Sequence, residues 1–444
     1  LKLAMDIRLQ QEAVRLMRGK RGAMVAINPQ TGGVLAFVSN PSFNPNLFID
    51  GIDSENWKAL NENWQKPLIN RVTQGLYPPG STFKPFMAMA LLESGKITQS
   101  SVIPAPGAWS IPGTKHMFRD SVRSGHGSAN LSKAIQVSSD TFFYRLGFEM
   151  GIEKIRPYLA EFDFGQQTGI DLPNEYRGVL PSPEWKEKRF SKLPPERRRW
   201  NIAEMVPISI GQGYNAYTPL QMAHATATLA NNGVVYRPHL VKELLDHNKQ
   251  QITLIDPKPQ RVLPFKQSNF NYVKAAMAKV LQPGGTARKI GVGLKYSMGG
   301  KTGTAQAITI GQKSRYNAAR LAEYQRDHSL YIAFAPAEQP RIVVAAIVEN
   351  AGFGATAAAP IVRRVLDYWL AGIYPSEQDI KAVQRSRASA PIGAPRTVEE
   401  MAIRPPEAAR PQPAPGPADA ADAPNAANAA IQTDSPPTPQ TPEA

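Results

Sequence analysis

Apolar positions near the start of the chain fall on one side of a helix. From Asp6 to Met17, Ile7, Leu9, Ala13, Val14 and Leu16 are available to one broad face, which predicts an amphipathic helix. The period then changes. In GAMVAINPQTGGVLAFVS two short β-prone runs flank Asn28-Pro29-Gln30-Thr31-Gly32-Gly33, and turn residues between two such runs predict a hairpin. Lys84–Leu92 and Ser132–Met150 read as helices, the second with Phe142, Phe143, Leu146 and Phe148 as core candidates. TPLQMAHATATLANNG predicts a further helix closed by Gly233. From Gly299 strands return: GGKTGTAQAITI, SLYIAFAPA and RIVVAAIVEN, joined by a long polar excursion and then a short turn. AAAPIVRRVLDYWLAGI predicts a final helix.

Strands, a helical middle, then strands and a helix make an α+β layout. The first hairpin can join the last three strands in one sheet. Beyond about Asp379 the pattern collapses: 13 of the 40 prolines fall there, interleaved with alanine, and large apolar residues nearly vanish. Such a segment cannot bury enough surface to fold. The expected organisation is one unit over 1–378 and a disordered Pro/Ala-rich tail over 379–444.

The formal charge of +15 favours anionic surroundings without choosing among them. No zinc-finger spacing and no RNP-like aromatic motif occurs, so nucleic acid is not an expected partner. The basic, proline-interrupted stretch Glu184–Trp200 reads as a solvated loop, with contact to an anionic surface as its alternative. The chain has no cysteine, which excludes disulfides, thiol catalysis and cysteine-ligated metal. No run of about 18 apolar residues is present. The opening LKLAMDIRLQQEAVRLM lacks an initiator methionine and reads as mid-protein sequence, so a fragment is expected.

The candidate chemistry begins in YPPGSTFKPF, which sets Ser81 and Lys84 three apart. On a helix such a pair shares a face, about 5–6 Å apart at Cβ. Gly80 allows a sharp entry, and Ser81 then lies in the first turn. There the orphan N–H groups and partial positive charge favour an anionic oxygen. Pro85 lacks the N–H that would pair with the Ser81 carbonyl, leaving the turn open or 3₁₀-like. A serine hydroxyl needs a base, and lysine serves if burial or a second cation makes it neutral. Alone, such a pair is far more often a helix start with an incidental lysine.

Two more elements bear on it. Ser138-Ser139-Asp140 is a helix cap, or else a hydroxyl relay with a carboxylate beside Lys84. Lys301-Thr302-Gly303-Thr304, on a predicted strand, offers a cation and a hydroxyl to a carboxylate, and Gly303 leaves room for a ligand backbone. Asp120 and His126, in RDSVRSGHG, are types that bind zinc. Zinc wants three or four protein ligands, and neither Ser139 nor Ala105 supplies one. No metal is expected, and His126 reads as a loop hydrogen-bonder.

In order, Ser-x-x-Lys, Ser-x-Asp and Lys-Thr-Gly resemble the signature of penicilloyl-serine transferases. From about Leu1 to Ile373 the chain resembles the class B penicillin-binding proteins, which are D,D-transpeptidases. NPQTGGVLAFVSNPSFNPN, GIDLPNEYRGVLPS and SIGQGYNAYTPLQMAHATATLANNG carry the likeness. DTFFYRLG and RDHSLYIAFAPAEQPRIVVAAIVENAGFGATAAAP are most similar to the elongation branch, penicillin-binding protein 2. The resemblance implies a penicillin-binding/β-lactamase-like fold, with a mostly antiparallel central sheet flanked by helices and a mainly helical lobe. It implies Ser81 as the acylated nucleophile, Lys84 as its base and Ser138 as the proton relay, with Asp140 where relatives carry Asn or Asp. Lys301 and Thr302 would hold a terminal carboxylate, with Gly303 and Thr304 in the same substrate- and β-lactam-binding element, and the N–H groups of Ser81 and Thr304 would hold an oxyanion.

The implied reaction cross-links peptidoglycan stem peptides ending in D-Ala-D-Ala through a Ser81 acyl-enzyme, without cofactor or metal, in cell elongation and rod shape. β-Lactams would acylate the same serine. The implied setting is the periplasmic face of the inner membrane, beside a membrane glycan polymerase, with the anchor outside this chain. Three rivals stand beside it: a serine β-lactamase, for which Glu175 or Glu184 would be the deacylation base; a β-lactam-sensing domain without turnover; and a D,D-carboxypeptidase using water as acceptor.

Overall fold

A computed structural model describes residues 1–246, 248, 251–307, 321–397 and 400 of the chain. The elements that place the site begin with α1 (Ile7–Met17), β1 (Gly22–Ile27), β2 (Val34–Asn40) and α2 (Lys84–Glu93). A helical stretch follows: α3 (Leu131–Gln136), α4 (Asp140–Met150), α5 (Pro219–Ala230) and α6 (Gln267–Lys279). The chain then runs through β3 (Gly299–Ala305), β4 (His328–Ala335), β5 (Ile342–Val348), α7 (Ala358–Ala371) and α8 (Glu377–Gln384).

The five strands form one antiparallel sheet in the order β3-β4-β5-β1-β2. The N-terminal hairpin joins the late strands through β1 and β5, with Val343 opposite Ile27 and Val348 opposite Gly22. Every residue of β5 is buried, as expected for a strand covered on both faces. Helices α1 and α7 pack together on the sheet, and α5 lies against β1, β4 and β5. Helices α2, α3, α4 and α6 form a separate helical lobe, and α6 reaches β3. This is the α+β arrangement expected from the sequence. The free edge of β3 faces the helical lobe, and the candidate residues lie along that seam.

Four expectations are revised by the structure. The predicted helix Ser132–Met150 is two helices, because Ser138 adopts φ +59° and breaks the run. Ser139 then caps α4, its Oγ accepting from Phe142 N–H (3.4 Å). In α1 the buried stripe is Leu9, Glu12, Ala13, Leu16 and Met17, whereas Ile7 and Val14 are exposed. Residues 183–200 contain two short helices, Pro183–Arg189 and Pro195–Arg198, and Lys186 is buried with Nζ donating to Arg199 O (2.6 Å).

The fourth revision concerns the boundary at 379. Helix α7 is not the last element: the chain folds back as α8, stays packed to Ala388, and is tied down again at Arg396 after an exposed stretch. Asp379, Ile380, Val383 and Ala388 are buried. Asp379 forms a two-point ion pair with Arg364 (2.7 and 2.9 Å), and Arg396 forms another with Glu12 (2.8 and 2.9 Å). These pairs hold the strap where apolar residues are scarce. Most of the expected tail, 401–444, lies outside the described residues, as does the stretch Ile308-Thr309-Ile310 read as strand.

Candidate active site

Pro85 shapes the turn that carries Ser81. With no N–H at position 85, the Ser81 carbonyl takes the N–H of Lys84 instead, in the i, i+3 pattern, so Gly80–Phe83 is a 3₁₀ turn leading into α2. Gly80 has φ +52°, and a Cβ there would sit 2.6 Å from Thr304 O, so only glycine fits. Its N–H donates to Gly211 O (2.9 Å). Phe83 and Phe86, fully buried, fix the turn against Phe162, Phe164 and Tyr217, with centroid separations of 5.0–5.8 Å. The nucleophile candidate thus sits on a rigid base. Ser81 itself is only partly buried, while Lys84 in the next turn is 0% exposed.

Lys84 Nζ donates to three acceptors: Asp140 Oδ1 (2.6 Å), Ser138 O (2.7 Å) and Ser138 Oγ (3.2 Å). Lys301 Nζ, also 0% exposed, approaches the same hydroxyl from β3, donating to Ser138 Oγ (2.8 Å) and to Thr302 O (3.0 Å). One hydroxyl therefore lies between two buried amines, and the left-handed backbone at Ser138 puts it there. Burial first, and then the Lys84 cation, push Lys301 well below the ordinary lysine range, against the pull of Asp140.

Along β3, Thr302 Oγ1 is hydrogen-bonded to Thr286 Oγ1 (2.8 Å). Thr304 O accepts from Gln212 Nε2 (3.0 Å), so that carbonyl points to the free edge of the sheet. The N–H and C=O of one strand residue share a side, so Thr304 N–H faces the Ser81 turn as well. The missing side chain of Gly303 has an internal reason. A Cβ there would sit 2.8 Å from Thr82 Cγ2 and 2.9 Å from Pro79 O, so the glycine lets β3 close onto the nucleophile turn. That space is filled by protein, not left for a ligand backbone as expected.

Lys84, Ser138, Asp140 and Lys301 thus form one hydrogen-bonded cluster in the cleft between β3 and the helical lobe, with Ser81 in the turn before Lys84 and Thr302 and Thr304 further along β3. Two supporting residues were not read as such from the sequence. Gln212 links the nucleophile turn to β3, and its only sequence signal was its place in SIGQGYN. Asp120 is buried and gathers His126 Nε2 (3.1 Å), Val122 N–H (3.1 Å), Asp140 N–H (2.8 Å) and Ser139 Oγ (3.1 Å), which anchors the turn carrying Ser138 and Asp140. Burial alone would raise its pKa. The Val122 and Asp140 N–H donors, with His126 and Lys84, bring it below the usual carboxylate value. Among the described residues no group of three or more His, Asp or Glu side chains is placed to hold a metal ion.

Of the two glutamates weighed as deacylation bases, Glu175 is tied to Thr168 N–H (2.7 Å), Thr168 Oγ1 (2.7 Å) and Gly169 N–H (3.0 Å). Glu184 is exposed. Neither bonds to a residue of the cleft.

The comparisons agree with this geometry. The sequence model of the penicillin binding protein transpeptidase domain matches residues 22–367. A relative in Acinetobacter baumannii, peptidoglycan D,D-transpeptidase MrdA, is 44% identical over 372 residues, covering 83% of this chain and 54% of the relative. The chain therefore spans about half the length of that curated relative. The crystal structure of Pseudomonas aeruginosa PBP2 in complex with WCK 5153 superposes with a TM-score of 0.72 at 40% identity, covering 83% of this chain and 78% of that one. PBP2 of Helicobacter pylori, in a complex with MreC, superposes with a TM-score of 0.68 at 35% identity, covering 79% and 60%. The chain belongs to the penicillin binding protein transpeptidase domain family.

Proposed function

We propose that this chain is the catalytic unit of a peptidoglycan D,D-transpeptidase of the cell-elongation type. The observation that carries the reading is the single hydroxyl of Ser138 between two buried lysines, 3.2 Å from Lys84 and 2.8 Å from Lys301, with Lys84 one turn after the partly exposed Ser81. Ser81 Oγ attacks the carbonyl of the penultimate D-alanine of a stem peptide and gives its proton to Lys84, which reacts as the neutral amine after releasing one proton and becomes the ammonium held by Asp140 and Ser138. The oxyanion is held by the N–H groups of Ser81 and Thr304, donors of a kind worth about 10²–10³ in rate. Ser138 passes a proton to the departing D-alanine nitrogen. The amine of a neighbouring stem then attacks the ester, restoring Ser81 and forming the cross-link. Lys301 and Thr302 bind the terminal carboxylate, and Gly303 sets the strand against the nucleophile turn.

Its partners in this reading are stem peptides ending in D-Ala-D-Ala, β-lactams that acylate Ser81, and a membrane glycan polymerase that supplies the strands to be joined. The setting is the periplasmic face of the inner membrane. No helix among the described residues is long and apolar enough to cross a membrane. The relatives' names, peptidoglycan D,D-transpeptidase and PBP2, support the transpeptidase reading, and in it the described residues through Arg396 form the catalytic unit.

The test is direct. The chain is mixed with a D-Ala-D-Ala pentapeptide donor and an amine acceptor, and products are followed by mass spectrometry. Wild type should release D-alanine and form the cross-linked product, and Ser81→Ala neither. Release that persists in Ser81→Ala contradicts the proposal, and release without cross-link assigns a carboxypeptidase.

A further inference from the structure

After α6 the chain makes a tight turn across the mouth of the cleft. Gly285 N–H donates to Gln282 O (2.8 Å) and Ala287 N–H to Val280 O (3.0 Å). A Cβ at Gly285 would lie 2.1 Å from Val280 O, and Ala287 is buried. The turn is tied to the end of α3, since Gln136 Nε2 donates to Pro283 O (3.1 Å) and Thr286 N–H donates to Gln136 O (3.3 Å). Gln136 stands two residues before Ser138. Thr286 is exposed, yet its hydroxyl meets the buried Thr302 hydroxyl at 2.8 Å. So Thr286 is anchored to the Ser138 side of the cleft and touches the β3 side.

A hydroxyl has one proton and two lone pairs. If Thr302 gives its proton to Thr286, only lone pairs remain to meet an anion beside Lys301. If Thr286 gives its proton to Thr302, the Thr302 proton is free for a carboxylate. An O–H···O–H···O⁻ chain of this kind is mutually polarising and charge-assisted. We propose that Thr286 is a positioning residue for carboxylate recognition: its hydroxyl donates to Thr302 and commits the Thr302 proton to the terminal carboxylate of the donor. The inference rests on the reading of Lys301 and Thr302 as the carboxylate site.

The test compares acylation of the full chain by a penicillin and by the methyl ester of the same penicillin, in wild type, Thr286→Val and Thr286→Ser. Thr286→Val keeps the shape and removes the donor. It should lose roughly threefold to tenfold in acylation by the free acid, the scale of one hydrogen bond between neutral groups, and leave the ester rate unchanged. Thr286→Ser should restore the free-acid rate. An equal loss with both reagents, which a packing role gives, overturns the inference, as does a full acid preference in Thr286→Val. If wild type itself reacts equally with acid and ester, the carboxylate reading of Lys301 and Thr302 fails, and the inference fails with it.

Discussion

Two regions of the molecule bury charge, and they do it differently. In the C-terminal strap the cations are arginines matched by carboxylates: Arg364 is in two-point contact with Asp379, and Arg396 meets both oxygens of Glu12 through Nη2 and Glu377 through Nη1 (3.2 Å). In the cleft, two buried lysines share one carboxylate, and only Lys84 is ion-paired with Asp140 among the described residues. Arginine keeps its proton in any folded protein and its fork matches a carboxylate, so the strap charges are fixed. Desolvation beside another cation lowers a lysine's pKa, and that is the direction at Lys301. Matched pairs hold the chain together. The unmatched cation is Lys301, on the Ser138 hydroxyl that Lys84 also reaches, and a perturbed group of this kind marks a candidate functional site.

The comparison can be broken at several points, the largest effect first. Lys84→Met should lower the rate of acylation by penicillin about 10²–10⁴-fold, the usual contribution of a general base, measured by stopped-flow or quenched mass spectrometry. A rate within threefold of wild type would remove Lys84 from the mechanism. In the strap, Asp379→Ala leaves Arg364 buried without its anion and should destabilise the fold by about 3–5 kcal/mol in chemical denaturation. The double replacement Arg364→Met with Asp379→Leu should recover most of that loss. Equal losses in the single and double variants would show that the pair is not the unit of stability.

Gln212→Ala should sharpen the contrast from the other side. It frees Thr304 O and loosens the spacing of the two oxyanion N–H groups, so acylation should fall roughly tenfold while the melting temperature stays unchanged. A fall in both would mark Gln212 as a structural residue.

The smallest effect lies between the two regions. Lys20 Nζ donates to Ser386 Oγ (2.8 Å), a neutral partner, and burial draws its pKa from 10.5 down to about 8. Between those values the unfolded chain holds a proton that the native chain has released, so this residue makes stability rise with pH. The melting temperature of wild type relative to Lys20→Met should therefore shift in favour of wild type from pH 8 to pH 10. A flat difference would contradict a desolvated Lys20.

Most of the site was legible in the sequence because its chemistry is local. Ser81 with Lys84, Ser138 with Asp140, and Lys301 with Thr302 each sit within one turn or one strand, and the hairpin and late strands carry a clear period. What was missed depends on distance or on backbone angle. Arg396 meets Glu12 across nearly the whole chain, so a stretch rich in proline and alanine gave no sign of order after Asp379. The break at Ser138 is a left-handed φ inside an otherwise continuous helical pattern, set by the buried Asp120 and the Ser139 cap. Gly303 invited a reading as ligand space, and only the approach of Thr82 and Pro79 shows what fills it.

The central claim is that Ser81 is the acylated residue. Intact mass of the purified chain after brief exposure to a penicillin, with Ser81→Ala alongside, tests it most directly. The account predicts one stable penicilloyl adduct on wild type and none on the variant. An adduct on Ser81→Ala, no adduct on a folded wild type, or an adduct that vanishes while penicillin is consumed would contradict it.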